Sequence, residues 1–149
     1  MTQLDSPDGG LAATCPDTDP GDSPRTLTID QLLAESRIGL DRVHPLELER
    51  EVAEGALVVD TRPREQRDRD GDLPGAVVID RNVLEWRLDP SSPYRIPEAG
   101  DATRRIVVVC NEGYSSSLAV HTLRRLGLTR ATDLVGGFQA WLALHPKSD

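Results

Sequence analysis

The sequence predicts an α/β fold: a doubly wound, mostly parallel sheet of about five strands flanked by helices. Three observations lead there. Residues 56–60 (ALVVD), 77–79 (VVI) and 106–110 (IVVVC) are short, continuous apolar runs, the pattern of strands covered on both faces. Segments with helical patterning alternate with these runs, the order expected of parallel strands joined by crossovers. Glycine and proline punctuate the boundaries, at Gly55, through residues 71–76 (GDLPGA) and at Gly127 and Gly136-Gly137.

Residues 1–25 are read as a disordered acidic tail. The first 24 hold five Asp, four Pro, three Gly and no Lys or Arg, too little apolar surface to offset the chain entropy lost on folding. Residues 26–40 form an N-terminal helical extension, with Thr28 as cap and apolar residues at 29, 32, 33 and 40. The main domain then covers residues 41–149. It opens with a short edge strand, Val43-His44-Pro45, and a helix over 45–53 that Gly55 closes. After the strand at 56–60, residues 61–70 carry four Arg against three acids, a solvated helical face. The strand at 77–79 leads to a helix over 81–89 and a proline-rich connection over 90–99. The strand ending at Cys110 precedes a helix over 116–126, expected to bury Ala119, Leu123 and Leu126 along one face. A last strand over 131–135, the Gly136-Gly137 turn and a helix over 138–144 complete the chain.

The net charge of the 149-residue chain is -8 and its pI about 4.8. Without a basic patch, nucleic acid is not expected as a partner. Most of the charge belongs to the first 24 residues, whose removal leaves 20 acidic against 17 basic residues. No apolar run has the length of a membrane span, and the first ten residues lack a signal peptide's basic and apolar regions. A cytoplasmic protein, monomer or homodimer, is expected, with no membrane partner. Two cysteines allow no disulfide framework; Cys15, in the tail, is either incidental or a resolving thiol for Cys110. His44, His121 and His145 show no ligand spacing with them, so a metal site is not expected.

Cys110 is the candidate for chemistry. It stands at the C-terminal end of a buried strand, the sheet edge where α/β folds bind ligands. Asn111 to Ser115 form a short loop in which Gly113 is free to take positive φ, and Ser115 or Ser116 is expected to cap the next helix. Uncovered amides of such a loop favour an anion, and a thiolate is the nucleophilic form of cysteine. Taken alone, the residue is equally well read as a small buried hydrophobe.

Four landmarks decide between these readings. They are Asp60-Thr61-Arg62 after a strand, residues 71–76 (GDLPGA), Cys110 with Gly113 three residues on, and residues 136–141 (GGFQAW). In this order they make residues 41–145 resemble a single rhodanese domain. The resemblance implies that Cys110 takes the outer sulfur of a donor as a persulfide and passes it to a thiophilic acceptor. The partners implied are a small-molecule or protein sulfur donor and a thiol acceptor, and the resemblance implies that no metal or organic cofactor is required. Asn111, Glu112, Gly113, Tyr114, Ser115 and Ser116 are then the substrate-binding loop. Asp60 and Arg62 are expected to form a structural ion pair, Gly75 and Gly136-Gly137 to serve tight backbone geometry, and Trp141 to be a core or lid residue.

The loop departs from the family's common C-x-x-G-x-R-S pattern. Ser115 stands where the arginine is usual, and Glu112 adds an acid, which opposes both a thiolate and a dianion such as thiosulfate. Arg81 and Arg87, after the third strand, are the candidates to replace the missing charge; alternatively they are surface arginines of a charged helix. A smaller departure is Asp72, where many relatives carry His.

Two other functions compete. Cysteine phosphatases and arsenate reductases of this fold use a loop one residue longer, closed by an oxyanion-clamping arginine. Here the corresponding residue is Ser116, and no arginine occurs between Cys110 and Thr122. The stronger rival is a non-catalytic rhodanese-like module for binding or redox sensing, since fold alone does not fix function.

Overall fold

The structure, a computed structural model, describes residues 26–146. The expected tail and Cys15 lie outside the described residues. Helix α1, Ile29–Ser36, begins at Thr28 with a capping box: the Thr28 hydroxyl accepts the Gln31 amide hydrogen while the Gln31 side chain accepts that of Thr28. A single 3₁₀ turn, Pro45–Glu47, leads into α2, Leu48–Ala53. Strand β1, Leu57–Asp60, is followed by α3, Arg64–Asp70, and β2, Val77–Val78. A 3₁₀ turn, Arg81–Val83, and α4, Leu84–Leu88, come next, and the proline-rich connection holds a further turn at Pro97–Ala99. Strand β3, Ile106–Val109, then feeds α5, Ser115–Arg125, and β4, Ala131–Asp133, feeds α6, Gly137–Leu144.

All strands run parallel in the order β2-β1-β3-β4, so β3 is interior and carries Cys110 at its end. Each strand residue of β1 and β3 is buried, as continuous apolar runs require when helices cover both faces. Alternation divides them between two cores. Leu57, Val59, Ile106 and Val108 face Leu84, Leu88, Ala119, Val120 and Leu123 of α4 and α5. Val58, Val107 and Val109 face Leu48 and Phe138 of α2 and α6. The doubly wound arrangement follows from this two-sided burial.

The sheet has four strands, not five. Val43 makes only an isolated parallel bridge with Leu134, because Pro45 lacks an amide hydrogen to continue the ladder and His44 turns outward to cap the 3₁₀ turn. Leu126 is 43% exposed, since α5 ends at Arg125 and Gly127 reverses the chain at φ +97°. Val120 takes the buried place on that helix.

The segment before the sheet is stitched to it. Val43 donates to the Asp133 carbonyl at 2.9 Å and accepts from Val135 at 2.9 Å, and Thr132 Oγ1 donates to the Asp41 carbonyl at 3.0 Å. Arg105 bridges Glu51 and Asp41; partial burial works against its charge, but the two carboxylates hold its guanidinium above the ordinary value. The backbone at residues 41–43 therefore runs alongside β4, and this fixes where the preceding arginines fall.

Candidate active site around Cys110

At the end of β3 the chain turns through residues 111–114 into α5. Gly113, at φ +85°, makes the turn, and its amide hydrogen points to Cys110 Sγ at 3.2 Å. The Ser116 amide, from the first turn of α5, donates to the same sulfur at 3.3 Å. Two N–H groups converging on one sulfur form a small anion cradle, reinforced by the helix N-terminus. Cys110 presents only 6% of its surface, so the sulfur is recessed, with Glu112, Tyr114 and Ser115 as the exposed residues of the loop.

The helix cap differs from the expectation. Tyr114 occupies the N-cap position and makes no side-chain cap bond, and Ser115 and Ser116 are already helical. The hydroxyl of Ser116 has another use: it donates to Asp133 Oδ2 at 2.7 Å, as does Ser117 Oγ at 2.7 Å. Asp133, fully buried at the end of β4, also accepts Arg42 Nε at 2.8 Å on Oδ1 and Arg42 Nη2 at 3.1 Å on Oδ2. One buried carboxylate thus ties the first turn of α5 to the sheet, and its charge is met by a guanidinium.

A glycine pair closes the other side. The Phe138 amide donates to the Cys110 carbonyl at 2.8 Å and the Gln139 amide to the Asn111 carbonyl at 3.0 Å. Such closeness excludes side chains: a Cβ on Gly137 would lie 2.5 Å from the Cys110 carbonyl oxygen and 2.6 Å from the Gly113 nitrogen. Gln139 Nε2 also bonds Asn111 Oδ1 at 3.0 Å and Asp70 Oδ2 at 2.9 Å, which holds the Asn111 side chain against α6. The expected role of Gly136-Gly137 as backbone geometry is what the contacts show.

Of the charged candidates, Arg81 pairs with Glu85 across one helical turn and Arg87 donates to the Tyr94 carbonyl. Among the described residues, neither bonds to the loop. The guanidinium groups that reach it belong to the extension and the segment behind it. Arg37 Nη2 donates to the Gly113 carbonyl at 2.7 Å, Arg42 Nη2 to the same oxygen at 3.0 Å, and Arg37 Nε to Ser117 Oγ at 3.0 Å. Sequence reasoning missed Arg37, Arg42 and Asp133. The only sequence signal was an arginine at the end of a capped helix and another just before an edge segment.

Asp60 and Arg62 form the expected ion pair. Arg62 Nη2 lies 2.8 Å from Asp60 Oδ2, the guanidinium sits 3.5 Å above the Phe138 ring centroid, and Nη2 also donates to the Gly71 carbonyl at 2.9 Å. Trp141 packs on Phe138 and stacks on His145, and with Leu48, Val52, Leu73 and Pro74 it lines a cavity of about 560 Å³. No residue of the Cys110 loop borders that cavity. Asp72 is exposed and within 4.0 Å of Arg67.

The rhodanese-like domain model matches residues 44–144. The chain belongs to the rhodanese-like domain family. Among curated relatives, the maize adenylyltransferase and sulfurtransferase MOCS3-1 is 41% identical over 63 residues, which is 42% of this chain. The chain spans only 13% of the length of that relative. Two solved structures share the rhodanese-like architecture at 29% identity. A Rhodopseudomonas palustris protein described as a possible tyrosine phosphatase superposes with a TM-score of 0.72 over 86% of this chain and 100% of its own. The human single-domain sulfurtransferase TSTD1 gives 0.59 over 72% of this chain and 97% of its own. Among the described residues no helix of this rhodanese-like domain is long and apolar enough to cross a membrane.

Proposed function

We propose that this rhodanese-like domain is a sulfurtransferase in which Cys110 carries the sulfur as a persulfide. The observation that supports this reading above all is the pair of amide hydrogens, from Gly113 and Ser116, aimed at Cys110 Sγ. In the first step the Cys110 thiolate attacks the outer sulfur of a donor such as thiosulfate. A new S–S bond forms, the donor's S–S bond breaks, and sulfite leaves with the electron pair. In the second, an acceptor thiolate attacks the outer persulfide sulfur and Cys110 leaves as the thiolate, so no net oxidant or reductant is needed. The amide cradle holds negative charge on sulfur at both stages. Asn111, Glu112, Tyr114 and Ser115 line the approach, and a reducing cytoplasmic setting supplies acceptor thiols.

The test is sulfite release from thiosulfate in the presence of a thiol acceptor. We expect sulfite in proportion to thiosulfate consumed, and none from Cys110→Ala. Equal, negligible release from both proteins would favour a binding or sensing module. The phosphatase reading fits less well, because Ser116 stands at the clamp position and its hydroxyl is occupied by Asp133.

A further inference from the structure

The loop around Cys110 carries an acid, Glu112, and no base, yet its backbone is held from behind by two guanidinium groups. Their charges are not equivalent. Arg42 is paired with the buried carboxylate of Asp133 at 2.8 Å. Among the described residues Arg37 bonds neutral oxygens, the Gly113 carbonyl and the Ser117 hydroxyl, and has no carboxylate within ion-pair distance. Its positive charge is therefore left to act on the loop, where it opposes Glu112.

Gly113 connects that charge to the sulfur. Its amide hydrogen bonds Cys110 Sγ, and its carbonyl oxygen accepts Arg37 Nη2. The carbonyl and the following amide of a planar trans peptide point in opposite directions. Fixing the Gly113 carbonyl on the guanidinium pair therefore turns the Tyr114 N–H to the opposite side of the peptide and polarises it. The guanidinium of Arg37 therefore stands one residue, Gly113, away from an amide that touches the sulfur, at a partly exposed site where its charge acts on the approach to Cys110 and is open to screening by salt.

We infer that Arg37 is a specificity-determining residue that favours anionic over neutral reactants at Cys110, supplying from the helical extension the charge that Ser115 does not. Arg37 precedes residues 44–144, so this determinant lies outside the span the family model matches. The inference rests on Cys110 being the reacting atom, as in the function proposed above, but its test does not require sulfur transfer.

The experiment compares alkylation of Cys110 by anionic iodoacetate and neutral iodoacetamide in the full chain, read at Cys110 by peptide mass spectrometry. In Arg37→Gln the iodoacetate-to-iodoacetamide rate ratio is expected to fall about fivefold at low ionic strength. Arg37→Lys should restore most of it, and 1 M salt should bring all proteins together. Arg37→Met, which keeps the aliphatic stem, repeats the test if the glutamine variant fails to fold. A ratio unchanged in both neutral variants, an equal slowing of both reagents, or a Cys110 inert to both would overturn the inference. A ratio that falls in a protein that never forms a persulfide would uphold it and count against the sulfurtransferase reading alone.

Discussion

The carbonyl oxygen of Cys110 accepts the amide hydrogen of Phe138 at 2.8 Å, so the cysteine is positioned by a strand on one side and by the start of α6 on the other. This contact exists only because Gly137, at φ +61°, has no side chain. Gly137→Ala would place a methyl group among three backbone groups and is expected to cost about 2–4 kcal/mol of stability. Denaturant unfolding measures the loss. Cys110 alkylation in the fraction that remains folded should also slow, and unchanged stability with unchanged reactivity would contradict the close approach.

Asp133 holds the other side of the cradle. Asp133→Asn keeps the shape of the side chain but withdraws the charge from Arg42 and weakens the bonds from Ser116 and Ser117. We expect about tenfold slower persulfide loading, since each lost charge-assisted bond is worth roughly 1.5–3 kcal/mol and only part of that reaches the sulfur. A rapid-mix mass assay with thiosulfate checks it; loading at the unaltered rate would show that the first turn of α5 needs no such anchor.

The Asp60 and Arg62 side chains are both sealed from solvent. Removing one partner strands the other charge, so Asp60→Ala should lower unfolding free energy by about 3–5 kcal/mol. The double replacement Asp60→Ala with Arg62→Leu should cost less than the sum of the two single changes, because no isolated charge is left behind. Additive losses in urea unfolding would argue against a coupled pair.

Glu112 is exposed on the loop, where its negative charge would oppose the approach of a dianionic donor. Glu112→Gln should raise the rate of thiosulfate consumption about two- to threefold at low salt, with the gain disappearing as screening increases. Equal or slower turnover at low salt would show that the Glu112 charge does not hinder the donor.

Much of this was legible in the sequence for physical reasons. Continuous β-branched runs such as residues 106–109 specify strands buried on both faces, and a cysteine directly after one must lie at the C-terminal edge of the sheet, the edge where open α/β sheets generally bind ligands. Thr28 marks a helix start through local bonding alone, so the capped helix after it was readable too. What remained hidden depends on long-range closure. Arg37 and Arg42 meet the Gly113 carbonyl from 76 and 71 residues away, and no local pattern distinguishes them from Arg81 and Arg87. Asp133 reads as the polar end of an ordinary strand until Ser116, Ser117 and Arg42 are brought to it. Val43 looked like a strand because its own residues favour one, whereas pairing with Leu134 stops after a single bridge at the proline.

The most direct measurement is the intact mass of the protein after brief incubation with thiosulfate and removal of excess donor. We expect a species one sulfur atom heavier, with the added atom on the Cys110 peptide, discharged by a thiol and absent in Cys110→Ala. An unchanged mass with thiosulfate and with persulfide donors alike would contradict it.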